Sequence, residues 1–134
     1  MSYSLLNNKM LPEGIYLAMG SIDHSQEDLQ VLGDDEIVEY EGIKSKNRKD
    51  EFLSSRHLAK KLAAKFGYLE DTFVIKKDDM GKPYGETENK RLFMSIAHSS
   101  KYALCALSES KDIGIDLEPA DRKVHEGLKN RILH

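Results

Sequence analysis

The chain has 134 residues, 40% hydrophobic and 32% charged, with a formal net charge of −3. That is enough chain for one globular domain with its own core, and the near-neutral balance gives no support for wholesale nucleic-acid binding. No run approaches the ~18 apolar residues of a membrane span, and the first residues, MSYSLLNNKMLPEG, lack the apolar centre of a signal peptide. No membrane partner and a cytoplasmic location are expected. The single cysteine, Cys105, lies inside the apolar run Tyr102 to Leu107 with no histidine or base beside it in sequence. It fits a reducing compartment and a packing role.

Pro12-Glu13-Gly14 reads as a turn, and Ile15 to Met19 as a short buried strand. Ser25 with Asp28 three residues on resembles a weakened capping box, which predicts a helix running to about Leu32, before Gly33. His24 reads as a loop residue without chemistry. Asp34 to Glu41 carries five acids, with Ile37 and Tyr40 three apart. A short helix fits, its first acids suited to the helix dipole, and the acids read as a solvated face.

Lys44 to Lys65 is the opposite, with eight lysines and arginines against Asp50 and Glu51 alone. Phe52, Ala59, Leu62, Ala63 and Phe66 fall on one helical face, widened by Leu53 and Leu58. The spacing predicts a helix over 47–66, closed by Gly67. Most of its basic residues read as a solvated side. Arg48 and Arg56 lie on nearly the same face, about 12 Å apart along the axis.

Phe73-Val74-Ile75 reads as a strand, followed by a polar connection to Gly81-Lys82-Pro83. Glycine there permits close approach of backbone to a ligand, and proline stiffens the loop. A plain hairpin turn satisfies the same residues. Glu86 to Arg91 reads as a polar loop and Phe93 to Ile96 as a strand. His98 follows, then Ser99, Ser100 and Lys101, a small polar set whose N–H groups would suit a phosphate. Tyr102 to Leu107 is apolar without alternation, as in a strand covered on both faces. Ile113 to Glu118 reads as a strand whose alternation sends Asp116 and Glu118 one way and Ile113, Ile115 and Leu117 the other. Paired carboxylates of this kind suit Mg²⁺, although on the pair alone a solvated strand end with two surface acids is the favoured reading. Arg122 to Leu133 reads as a helix. The expected fold is α+β, a small, mainly antiparallel sheet packed by one long basic amphipathic helix, with the strands ending near 96, 108 and 118 adjacent in a meander.

Three motifs in order, Gly81-Lys82-Pro83, Ser95-Ile96-Ala97-His98-Ser99 and Gly114-Ile115-Asp116-Leu117-Glu118, resemble those of the 4′-phosphopantetheinyl transferases, specifically the two-lobed kind. The resemblance covers about 48–118. It implies a lobe that binds coenzyme A, with Mg²⁺ on Asp116 and Glu118. Lys82, between Gly81 and Pro83, would lie at the 3′-phosphate end of the nucleotide, and His98, with Ser99 beside it, at a phosphate. Phe52-Leu53-Ser54-Ser55-Arg56 is similar to the family's Phe-Leu-x-x-Arg pattern, which makes Arg56 the first choice for a phosphate contact and Arg48 the second. The implied substrate is coenzyme A and the implied partner an acyl or peptidyl carrier protein. The chain departs from the pattern at Ala97, where the family usually has serine, and in lacking the later Lys-Glu motif after Glu118. The resemblance therefore implies a first lobe alone, with the general base and a further carboxylate in an absent second lobe, little activity by itself, and self-association to cover the exposed lobe interface. The rival reading is a non-catalytic module that binds a nucleotide or a protein partner.

Overall fold

Ser45 starts the longest helix, α2 (Lys46–Lys65), by accepting the Arg48 N–H on its Oγ at 3.3 Å. The helix ends at Phe66 with Gly67 in the left-handed region, φ +97°. There Gly67 N–H donates to the Ala64 carbonyl at 3.0 Å, and Tyr68 N–H to that of Ala63 at 3.1 Å, so two carbonyls left over at the helix end are satisfied. The helix lies within one residue of the span that the apolar spacing predicts. In this computed structural model, residues 3–5, 14–68, 72–88 and 90–109 are described. The expected strand through Asp116 and Glu118 and the helix expected after it lie outside them.

The remaining elements are β1 (Tyr3–Leu5), β2 (Ile15–Ser21), α1 (Asp34–Gly42), β3 (Phe73–Lys77), β4 (Pro83–Thr87), β5 (Lys90–His98) and β6 (Tyr102–Ser108). The strands form one antiparallel sheet in the order β1-β2-β6-β5-β4-β3. Leu58, Ala59, Leu62 and Ala63 of α2 pack on Ala18, Phe73, Ile75, Leu92, Met94, Ala103, Cys105 and Leu107, all buried. Every residue from Ala103 to Ser108 is buried, as a strand covered on both faces requires. Phe52 and Leu53, nearer the start of α2, join Leu32, Ile37 and Tyr40 in a second cluster under α1.

Two expected elements differ. Ser25 to Leu32 is not helical. Asp23 Oδ1 takes the Ser25 N–H and hydroxyl, Gln26 Oε1 takes the N–H groups of Glu27 and Asp28, and Asp28 Oδ1 takes that of Gln30. Side chains of this type compete for the backbone donors that a helix would use. The stretch Glu86 to Arg91, read as a polar loop, in turn holds the start of β5 and the end of strand β4. Strand β4 pairs with β3 and β5, and the chain turns into β5 at Glu88, φ 42°. Its proline is the first strand residue, where it is tolerated. Its glycine lies under the Phe73 ring, and a Cβ there would stand 2.5 Å from Phe73 Cε1.

Candidate functional site

Strand register gathers the site at one end of the sheet. Ser21 lies opposite Tyr102, His98 opposite Ala103, and Lys77 opposite Pro83. The turn after β5 and the hairpin between β3 and β4 therefore leave the sheet at the same end. The first turns of α2 come to that end too. Ser54 Oγ accepts the Asp23 N–H at 2.9 Å, and Ile22 N–H donates to the Lys101 carbonyl at 2.9 Å.

His98 points to the α2 face, because it shares that face with Ala103 across the ladder. Its Nδ1 lies 3.0 Å from Glu51 Oε1. Ser99 builds the turn behind it: its N–H donates to the Tyr102 carbonyl at 2.8 Å, and its Oγ accepts the N–H groups of Lys101 and Tyr102 at 3.2 Å. Those donors, expected to face a phosphate, are used within the turn. The Gly81-Lys82-Pro83 hairpin is organised by Asp78, whose Oδ1 accepts the N–H groups of Met80 and Lys82, both at 2.9 Å. Gly81 has φ +82°, a conformation suited to glycine. Lys82 and Pro83 are half-buried, and Arg48 is exposed in the first turn of α2. The structure thus brings Arg48, the Gly81-Lys82-Pro83 hairpin, His98 and Ser99 to one end of the sheet.

Arg56 sits differently. It is 6% exposed. Its Nε donates to Glu36 Oε2 at 2.9 Å and its Nη1 to Ser55 Oγ at 3.0 Å, and its guanidinium lies 4.1 Å from the centre of the Phe52 ring. Glu36, in the acidic stretch read as a solvated face, is 5% exposed. Burial pushes its carboxyl above the usual range, and the charge and hydrogen bond of Arg56 offset part of that rise.

Three further groups escape a reading by residue type. Glu51 holds His98. Asp50, its neighbour, accepts from Lys46 Nζ and pairs with His24 Nδ1, each at 2.8 Å, so His24, read as an inert loop residue, has a partner on α2. Burial raises the Asp50 carboxyl, but the hydrogen bonds and charges of Lys46 and His24 outweigh it and hold the group below its ordinary value. Lys60 is buried, and its ammonium donates to the Phe73 carbonyl at 2.5 Å. The available signal was the pair Asp50-Glu51 itself, the only acids in a basic helix.

Cavities of about 390 and 410 Å³ lie along the β3 edge, lined by Gly33 and Val74, the first also by Lys60 and the second by Lys76. They are removed from His98, and the convergence of named side chains locates the site better than cavity volume does. Among the described residues no three histidine, cysteine or acidic side chains cluster to hold a metal, and no helix is long and apolar enough to cross a membrane. Asp116 and Glu118 lie outside the described residues.

No protein-family model and no curated protein matches the sequence. The fold has solved counterparts. A holo-(acyl-carrier-protein) synthase from Bacillus anthracis str. Ames, in complex with CoA (3′,5′-ADP), superposes with a TM-score of 0.58 over 73% of this chain and 96% of that chain, at 24% identity. The chain has the fold of that synthase. This bears out the expected α+β fold, a mainly antiparallel sheet packed by a long helix.

Proposed function

We propose that this chain is the coenzyme A-binding lobe of a 4′-phosphopantetheinyl transferase, which moves phosphopantetheine from coenzyme A to a carrier-protein serine. One observation carries the reading. That reading is supported by a fold shared with a synthase in complex with CoA (3′,5′-ADP), together with the position of His98-Ser99, the Gly81-Lys82-Pro83 hairpin and the start of α2 at one end of this chain's sheet. In this reading Lys82, Arg48 and His98 hold the nucleotide end and contribute orientation. Arg56 already bonds Glu36 and is 6% exposed, so a phosphate there would compete with that pair. Asp116 and Glu118 would supply oxygen donors of the kind that suits Mg²⁺. When bound, that cation neutralises charge on the pyrophosphate. The general base and a further carboxylate come from a second lobe, and the chain alone self-associates with little turnover.

Transfer of labelled phosphopantetheine from coenzyme A to an apo carrier protein is the deciding experiment, run beside calorimetry of coenzyme A with and without Mg²⁺. Binding that tightens with Mg²⁺ and loses that dependence in Asp116→Ala supports the site. Coenzyme A binding without transfer, even with the second lobe supplied, would leave a non-catalytic binding module. Sedimentation of the chain alone tests self-association, and a clean monomer would refute it.

A further inference from the structure

His98 is held from behind. Glu51, on the second turn of α2, sits 15% exposed beside a His98 side chain that is 37% exposed, with 3.0 Å between Oε1 and Nδ1. The carboxylate is thus inboard and the ring outboard. The two residues are 47 apart in sequence, so this contact also ties the end of β5 to the helix. An imidazole has two distinct nitrogens, and the partner of one decides what the other can do. A carboxylate is an acceptor only, so the Nδ1 facing it must be the donor. The edge carrying Nε2 is then the one left for a ligand. A ring that donates from both nitrogens is an imidazolium, and its Nε2–H makes a charge-assisted bond to an anion.

We infer that Glu51 is a positioning residue for phosphate recognition: it takes the Nδ1–H of His98 and so turns the Nε2 edge toward a phosphate of coenzyme A, to which the ring donates from Nε2 in its imidazolium form. This deepens the functional reading above and rests on it for the identity of the ligand. The carboxylate repels an anion directly as well, but the imidazole stands between the two. Orientation and the charge-assisted bond therefore act at shorter range than the repulsion.

Two measurements test it. Long-range ¹⁵N–¹H spectra of the full chain should show His98 Nδ1 protonated in the wild type, with that preference lost in Glu51→Ala. This arm needs no ligand. Calorimetry with coenzyme A should then show Glu51→Ala binding about tenfold more weakly, the scale seen when a group orienting a ligating histidine is removed. Glu51→Gln, which keeps an acceptor but not the charge, should recover part of the loss. In a His98→Ala background, Glu51→Ala should have no further effect, because the residue acts through the ring. Unchanged or tighter binding by Glu51→Ala, or losses that simply add in the double variant, would overturn the inference while leaving the functional reading standing. A wild type that binds no coenzyme A would overturn the functional reading first, and the ligand half of this inference with it.

Discussion

Arg56 is joined to Glu36 across the α1–α2 interface, with both side chains under a tenth exposed. Removing one partner of a buried pair leaves the other charged and unsolvated, which costs about 3–5 kcal/mol. Arg56→Ala should therefore lower the denaturation midpoint strongly. Arg56→Met combined with Glu36→Leu should recover much of the loss, and a coenzyme A defect in Arg56→Ala can be assigned to the ligand only after that comparison. Asp50 gives a pH signature. Its folded value lies below the ordinary 3.8, so its contribution to stability is complete above that value and disappears as pH falls through the folded one. Asp50→Asn should flatten the acid limb of a stability-against-pH curve below about pH 4, and an unaltered limb would refute the assignment. The likeness to a Phe-Leu-x-x-Arg pattern made Arg56 the first choice for a phosphate contact. It did not show which anion faces it in the folded chain, because Glu36 lies 20 residues away on another helix. Burial at that distance is a tertiary fact that a local acidic run conceals.

At the scale of elements, periodicity was legible wherever an apolar face was long enough to outvote its neighbours. Helix α2 carries its own cap, stripe and closing glycine, so its limits could be read almost to the residue. Strand β4, PYGET, has no such pattern. Its pairing with β3 and β5 and the Phe73 ring over Gly85 make it a strand, and neither is a local property. Gly85→Ala would drive a methyl into that ring and should destabilise by about 1–3 kcal/mol, the usual cost of overpacking. Phe73→Leu in the same background should return part of it. Equal stability of Gly85→Ala and wild type in urea would show that the ring moves aside freely.

Across the whole molecule, the meander of β5 and β6 was legible because the two apolar runs are close in sequence, and the register confirms their pairing. The placement of β6 beside β2 was not, since nothing local links Ile15 to Ser108. Cys105 reports on this assembly. It is fully buried, and burial pushes its thiol up to about 12. A thiol reagent at neutral pH should label it only through global opening, at a rate that tracks denaturant stability. Rapid labelling of folded protein would mean that the sheet opens locally at β6. That strand lies between β2 and β5, yet it is the last to be synthesised of the six strands among the described residues. On the ribosome, β2 must therefore wait without its β6 neighbour while all of α2 and the hairpin strands emerge, and the apolar side of α2 has only part of its sheet to rest on. Pairings this distant in sequence slow folding and prolong exposure of sticky surface. Nascent chains halted before Tyr102 should be protease-sensitive throughout and bound by chaperones, and those extended past Ser108, with the exit tunnel cleared, should become resistant in a single step.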